Sequence, residues 1–588
     1  MNGPNSVGAG GAERAVALFS KIARIWPWGA AVLSGVLYAA CFAPFNQGWL
    51  CWIALGPLLT AIWFSNTSFR RRWQRDLLLG YVAGFVFFTI TFSWLGALGT
   101  LFQNVFLHGL PALLALYLAL FPAVWACLAG SLRPGESAAI EETESPGKWD
   151  EMLARAGKPV MKSPRSPWLR SSTNLRLAFC LACVWVALEW IRGWLFGGFG
   201  WNGLGVALHS NLPVIQIAEF TGVGGLTFAI VFANVIAVSS VRRFIIEVRD
   251  HQMRPHYDLT LSMAGIVGLL AFGMHSVQSK ERTTGLRVAA IQPNIPQQEK
   301  FDPHYTARIF EKFSRLTEIA LHTAPPPDLV VWPESSMPDV VRDPQSESNR
   351  FVTDLSAAGQ TDLLLGAIDL DGDRAYNAAL LISGSNQQVQ VYRKLHLVPF
   401  GEYVPLRHSF PLFAAIAGKW VPSDFDFGTE PDNFRLTKHD GALVAPLICF
   451  EDTIGELARE FVLKGANLIV DVTNDGWFLR SAGSQQHLAN AVFRSVETRR
   501  PMVRAANTGV TCFVNQFGRI TEILRDDTNS TFTEGVLTGD VEIPEHNDLT
   551  FYVRHGEIFA KGCAVVAFLT LAALAPQFRR RKKKTESN

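Results

Sequence analysis

Lysine and arginine are missing from three stretches of this 588-residue chain, 44–47, 99–104 and 193–213, although the chain carries 53 of them. Each stretch borders a long apolar run. A disulfide framework is missing too: of eight cysteines, Cys41, Cys51, Cys127, Cys180, Cys183 and Cys563 fall in or beside such runs, leaving Cys449 and Cys512. A bond between those two is conceivable in an oxidising compartment but would remove a nucleophile. The 13 histidines are scattered without ligand spacing, so neither a metal site nor a cofactor is expected. An excess of charge of one sign is missing as well, with 53 basic residues against 51 acidic. With a net charge of +2 and basic residues only in short clusters beside apolar runs, the chain has no footprint for nucleic acid.

What is present is apolar. Hydrophobic residues make up 49% of the chain and the mean hydropathy is +0.17, too high for an ordinary soluble enzyme. Apolar runs near 29–42, 48–64, 77–98, 105–131, 175–192, 214–240, 258–277 and 558–576 approach the ~20 residues that cross a bilayer, which predicts eight spans. The first follows Arg14, Lys21 and Arg24, the charge pattern of a signal peptide or a first anchor, and reads as a retained short span. Basic residues stay on the cytoplasmic side. Arg70, Arg71, Arg72 and Arg75 follow the second run, Arg242, Arg243, Arg249 and Arg254 follow 214–240, and Arg579 to Lys584 follow the last. Both termini are therefore expected inside and 278–557 outside, which in a bacterium is the periplasm. Residues 132–174, rich in Glu, Ser, Pro and Lys, read as a flexible cytoplasmic insert.

The segment 284–545 alternates strands and helices. Strands are predicted at 286–292, 329–332, 363–368, 378–381, 389–392, 443–448, 468–472, 502–505, 511–514 and 520–524, and helices at 304–322, 349–358, 454–464 and 485–499. Three of the strands end in reactive side chains. Ala442 to Ile448 delivers Cys449 to a strand end before Glu451 and Asp452, an elbow near a helix start that lowers a thiol pKa; alone, such a cysteine is more readily a small core residue. Asp328 to Pro338 is an apolar strand ending at Glu334, with prolines on either side, and Val391 to Pro405 places Lys394 before a loop that carries Glu402. A carboxylate to take the thiol proton, a thiolate to attack a carbonyl and an ammonium to hold the oxyanion suffice for acyl transfer.

The ordered segments Trp332-Pro333-Glu334-Ser335, Lys394-Leu395-His396-Leu397-Val398-Pro399-Phe400-Gly401-Glu402-Tyr403-Val404-Pro405 and Ile448-Cys449-Phe450-Glu451 resemble the Glu-Lys-Cys signature of the nitrilase superfamily. Embedded in a multispanning chain, they are similar to the apolipoprotein N-acyltransferases in particular, over nearly the whole length. The resemblance implies a polytopic helical membrane domain plus a nitrilase-like α-β-β-α sandwich. Residues 1–277 would be the membrane domain with its insert, 278–545 the extracytoplasmic catalytic domain, and 546–588 the last span and a basic cytoplasmic tail. It also implies Cys449 as nucleophile, Glu334 as base, Lys394 as oxyanion cation and Glu402 and Glu451 as supporting carboxylates. Asn474 to Phe478 and Gln486-His487 match segments flanking the pocket. Phe450 stands where relatives can carry tyrosine and Phe301 where tryptophan is often found. The Gly- and Trp-rich loop 190–205, with Trp201, reads as an interfacial aromatic belt or as a wall guiding acyl chains toward the thiol, and Glu189 and Arg192 there could pair with each other or meet a lipid headgroup. The apolar segments 410–417 and Trp477-Phe478 offer greasy loops that could dip toward lipid. The implied reaction moves a fatty acyl chain from a phospholipid to the N-terminal amine of a diacylglyceryl-modified apolipoprotein, in the bacterial inner membrane, through a cysteine thioester. A membrane-anchored nitrilase-like amidase acting on a soluble amide is the alternative. A transporter fits poorly, because polar intramembrane signals are nearly absent.

Overall fold

The computed structural model describes residues 9–65, 71–133, 167–249, 251, 253–279, 282–405, 407, 423–439 and 441–586. Most of the expected insert and the apolar segment 410–417 lie outside the described residues.

Up to residue 277 the chain is helical. Val105–Ser131, Pro167–Arg192, Val223–Arg249 and Tyr257–Val277 are each long and apolar enough to cross a bilayer, and Arg72–Thr91 with Ser93–Leu101 adds a fifth if a 56° bend is counted within one span. Gly48–Phe64, Leu212–Thr221 and Ile558–Leu574 are apolar but shorter. Among the described residues, four or five of the eight expected spans therefore meet this measure. The runs 48–64 and 558–576 give only the shorter helices, and within 214–240 Gly222 at φ 60° separates the short helix Ala218–Thr221 from Val223–Arg249. Lipid tails give helices no hydrophobic reason to associate, so small residues do the packing. A Cβ on Gly80 would strike Ala126 and Pro122, and one on Gly84 would sit 2.9 Å from Pro122, so Arg72–Thr91 lies against Leu120–Ser131 at backbone distance.

Glu189 and Arg192 do not pair with each other. Glu189 accepts from Trp185 Nε1, the Leu204 amide and Thr227 Oγ1, each at 2.8 Å. Arg192 donates to the Gly200 and Trp201 carbonyls at 3.4 and 3.2 Å and lies over the Phe88 ring. Both charges thus hold the loop after Pro167–Arg192 in one shape, with Trp201 buried at its tip.

Among the described residues twelve strands follow: β1 (Thr283–Gln292), β2 (Leu329–Val331), β3 (Asp362–Asp371), β4 (Arg374–Ile382), β5 (Val389–Arg393), β6 (Phe434–Arg435), β7 (Leu443–Ile448), β8 (Leu468–Thr473), β9 (Met502–Ala506), β10 (Cys512–Val514), β11 (Ile520–Ile523) and β12 (Gly535–Pro544). They form two sheets, ordered β12-β1-β2-β3-β4-β5 and β11-β10-β9-β8-β7-β6. Each sheet is parallel at its centre and antiparallel at its margins. The period-2 alternation of strand side chains decides the layering. Val288, Ala290, Leu329, Val331, Leu364 and Leu381 face a core shared with Val444, Ile448 and Val472 of the second sheet. Their neighbours Ala289, Ile291, Val330, Leu363, Leu365 and Leu380 face outward onto Ile309, Phe313 and Leu316 of helix Thr306–Leu321 and Val352 of Glu347–Gly359. Helices Gly455–Leu463 and Gly483–Thr498 cover the other sheet. The order helix, sheet, sheet, helix is the sandwich expected. Two strands escape the sequence pattern, the two-residue β6 and the Gly- and acid-containing β12, which pairs with β1 along its full length.

Candidate active site

Cys449 ends the buried strand β7 at φ 54°, a left-handed backbone that a residue with a Cβ rarely holds without cause. The chain then makes one 3-10 turn, Cys449–Thr453, and the next helix starts only at Gly455. This corrects the expected elbow: the thiol does not stand at an α-helix N-terminus and gains no acidity there. Burial pushes it well above the ordinary thiol range and the Glu334 carboxylate adds to that, while Lys394 and the Thr473 hydroxyl pull the other way. The resting group is a neutral thiol, which needs a base to become a nucleophile.

Glu334 follows β2. The Trp332 amide still donates to the Leu364 carbonyl at 2.8 Å, and then Pro333, lacking an N–H, ends the ladder. Gly366 on the neighbouring β3 gives the turn room: a Cβ there would stand 2.5 Å from Glu334 Cα. The Glu334 side chain is buried. Its Oε1 accepts from Asn377 Nδ2 at 2.8 Å, and its Oε2 has no hydrogen-bond partner among the described residues, so an acceptor is open for a proton.

Lys394 follows β5, with its amide donating to the Asn377 carbonyl at 2.8 Å. Its Nζ lies 3.0 Å from Glu402 and 3.7 Å from Glu334, with the side chain 1% exposed. Burial works against its charge, but the carboxylates of Glu402 and Glu334 outweigh burial and hold it above the ordinary lysine value. It is a permanent cation. Glu402 is fixed in turn by Asn377 Nδ2 at 2.6 Å and the Val398 amide at 2.7 Å. Glu451 ties the nucleophile's turn to the lysine's loop: Oε1 accepts from Tyr392 Oη, the Leu395 amide and the His396 amide at 2.9, 2.7 and 3.1 Å, and Oε2 from the Ile448 amide at 3.0 Å. Burial raises this carboxyl to about 7, against the pull of Lys394 and these backbone donors.

Phe450 faces the apolar helices of the first half of the chain. Its ring is parallel to those of Phe199 and Trp201, with centroids 6.4 and 6.5 Å away, and Trp201 also stacks on the His487 imidazole at 5.1 Å. The residue after the nucleophile therefore packs directly on the loop that Glu189 and Arg192 pin. Behind the turn, His487 bridges Asp452 and Asp475 at 2.9 and 3.0 Å, while Arg504 pairs with Asp471 and Asp475 at 3.2 Å. Burial opposes the charge on His487, yet Asp452 and Asp475 raise it to about 10.

The structure thus brings Cys449, Glu334, Lys394, Glu402, Phe450, Glu451 and Trp201 together. Phe301 is different, since its side chain is 47% exposed. The preceding Lys300 turns inward instead and donates to the Glu334 carbonyl at 2.7 Å. Burial lowers its pKa to about 8, against the raising effect of Glu334 and Cys449. Lys300 and Asn377 are the two residues that strand-end reasoning passes over, as one sits in a polar turn and the other inside a strand.

A relative from Geobacter metallireducens, named apolipoprotein N-acyltransferase, is 34% identical over 558 residues, spanning 94% of this chain and 95% of its own. The chain belongs to the apolipoprotein N-acyltransferase family. The family model for the apolipoprotein N-acyltransferase N-terminal domain matches residues 34–236 and the carbon-nitrogen hydrolase model matches 287–547. Similar too are apolipoprotein N-acyltransferase 1 of Treponema denticola, 30% identical over 66% of this chain and 75% of its own, and an apolipoprotein N-acyltransferase of Rhodopseudomonas palustris, 29% identical over 94% and 96%. A solved carbon-nitrogen hydrolase superfamily protein from Xanthomonas campestris, 16% identical, covers 44% of this chain and 91% of its own at a TM-score of 0.34. An apolipoprotein N-acyltransferase is an enzyme, so the buried carboxylates, lysines and thiol just described belong to an acyltransferase.

Proposed function

We propose that the chain transfers a fatty acyl chain from a phospholipid to the N-terminal amine of the diacylglyceryl-cysteine of an apolipoprotein, through a thioester on Cys449. One observation carries the lipid donor: Phe450, next to the nucleophile, lies against Phe199 and Trp201 of the membrane domain. A long chain pulled wholly into water costs about 0.8 kcal/mol per methylene, so a thiol that takes acyl groups from lipid must have an apolar path from the bilayer. Aromatic rings beside Cys449 on the membrane side offer one.

Glu334 Oε2 takes the Sγ proton, the Sγ–C bond forms at the ester carbonyl, and Lys394 Nζ with the Phe450 amide holds the oxyanion. The C–O bond then breaks, and Glu334 returns the proton to the departing lysophospholipid oxygen. In the second half the acceptor amine gives a proton to Glu334 and attacks the thioester, and sulfur leaves and recovers the proton. Glu402 and Asn377 keep Lys394 and Glu334 in register, and Glu451 keeps Lys394 in register with Cys449. With the sandwich on the periplasmic side of the inner membrane, both termini cytoplasmic and eight spans below it, both substrates reach the thiol without leaving the bilayer surface.

The test is intact mass. Protein incubated with labelled phospholipid and no acceptor should carry one acyl group on Cys449, lost on adding an N-terminal diacylglyceryl-cysteine peptide. Absence of the adduct, or its presence in Cys449→Ala, would refute the thioester.

A further inference from the structure

Helix Gly483–Thr498 is buried on every side except at Gln485. A helix buried all round is normally apolar, yet this one carries Gln486, His487, Asn490, Arg494 and Glu497 on its buried faces. His487 and Arg494 pair within the sandwich, with Asp452, Asp475 and Glu497, whereas Gln486 and Asn490 join it to the apolar helices, Asn490 Nδ2 donating to Asn202 Oδ1 at 3.1 Å. Gln486 makes the densest of these joints. Its Oε1 accepts from Trp94 Nε1 at 3.1 Å, Trp201 Nε1 at 3.3 Å and Asn202 Nδ2 at 2.9 Å. Its Nε2 donates to the Ala43 carbonyl at 2.8 Å and the Thr91 carbonyl at 3.0 Å.

The five partners come from three places: the turn after helix Ala9–Ala40, the bend where Arg72–Thr91 gives way to Ser93–Leu101, and the loop after Pro167–Arg192. Three N–H groups on one end of the amide and two carbonyls on the other leave it one orientation. The ring of Trp94 lies 5.5 Å from that of Trp201 and 4.6 Å from that of Phe478, and Trp201 is the ring parallel to Phe450. One side chain therefore fixes, at once, the membrane segments beside the nucleophile and the rings that line them.

We propose that Gln486 is a positioning residue for the lipid donor: it sets the spacing of these three membrane segments against Phe450, and with it the passage by which an acyl chain reaches Cys449. The inference rests on the phospholipid-donor reading above. Gln486 itself touches neither the carboxylates nor the lysines around Cys449, so chemistry on a donor that arrives from water should not need it.

The full chain is assayed with two donors. One is labelled palmitoyl phospholipid in phosphatidylethanolamine–phosphatidylglycerol vesicles, followed as the mass adduct on Cys449; the other is water-soluble p-nitrophenyl butyrate, followed as nitrophenol release. Gln486→Met removes all five hydrogen bonds, whereas Gln486→Glu keeps the acceptor for three donors and sets a carboxylate against the Ala43 and Thr91 carbonyls. Both should raise KM for the vesicles tenfold or more, Met more than Glu, with p-nitrophenyl butyrate turnover within threefold of wild type. Should Gln486→Met fail to fold, Trp94→Phe, which deletes one donor and keeps a ring, should still raise vesicle KM about threefold and spare the ester. Equal losses on both donors, or none on either, would overturn the proposal while leaving the acyltransfer reading intact. A wild type that forms no adduct from the vesicles would overturn both.

Discussion

Replacing Lys394 with methionine keeps most of the stem and deletes the charge. In water-poor surroundings two losses follow. The first is ground-state order: at 3.7 Å the attraction between Lys394 Nζ and Glu334 is about 4 kcal/mol at an effective dielectric constant of ~20. Glu402, at 3.0 Å from the same nitrogen, loses its partner as well. Breaking a buried pair from one side typically costs about 3–5 kcal/mol of stability, because the other charge stays behind. The second loss is kinetic: removal of one oxyanion donor slows acyl transfer on the order of 100- to 1000-fold. Lys394→Met should therefore unfold at lower temperature than wild type and, below that temperature, load Cys449 from phospholipid on the order of 100- to 1000-fold more slowly by intact-mass time course. Arg393→Met is the control. Arg393 pairs with Asp369 and Asp371 rather than with the carboxylates around Lys394, and buried Asp369 keeps Arg342 as a partner, so its loss should lower stability but change loading of the folded protein by less than about threefold. Loading by folded Lys394→Met within tenfold of wild type would take Lys394 out of the mechanism.

Acylation of Cys449 should be bell-shaped in pH. Glu451 is raised to about 7, so its carboxylate, which four donors need, is lost as pH falls below that value; Lys300 is lowered to about 8, so its charge beside Glu334 is lost as pH rises above that value. Lys300→Met should slow acylation and flatten the alkaline limb only, and an unchanged alkaline limb in a pH–rate profile would refute that assignment. Glu451→Gln keeps the shape but turns an amide NH2 toward donors that now meet a carboxylate; leaving a buried donor unmet costs about 1–3 kcal/mol, which thermal melts should show as reduced stability alongside at least tenfold slower loading. Gly366→Ala places a methyl 2.5 Å from Glu334 Cα; overpacking of this kind typically costs about 1–3 kcal/mol, and loading should fall with it because Glu334 is displaced, whereas normal loading would mean that β3 yields freely.

Strand-end logic picks out Glu334, Lys394 and Cys449, which the structure brings together, because each follows the end of an apolar strand, and such punctuation is written in the sequence. Asn377 could not be found that way. It reaches Glu334 and Glu402 only through the antiparallel register of β4 and β5, where Ala378 stands opposite Arg393, and register is a property of pairing rather than of one segment. Lys300 was hidden by its aromatic neighbour: Phe301 is the more conspicuous residue, yet it is the lysine that turns inward. The expected acidity of Cys449 depended on a helix beginning at once, whereas the chain spends residues 449–453 on a 3-10 turn and burial dominates instead. Hydropathy marked the apolar runs of the membrane domain but not their breaks, since Gly222 and the bend after Thr91 act through backbone angles.

A thiol held protonated by its surroundings has one further property. Peroxides and disulfides react with thiolates, so a neutral buried cysteine is a poor target for oxidation. In the mechanism we propose, Cys449 becomes a thiolate only while Glu334 holds its proton. A nucleophile held as a thiol is chemically quiet between turnovers, so in the periplasmic setting we propose for the sandwich it endures without a reducing partner to restore it.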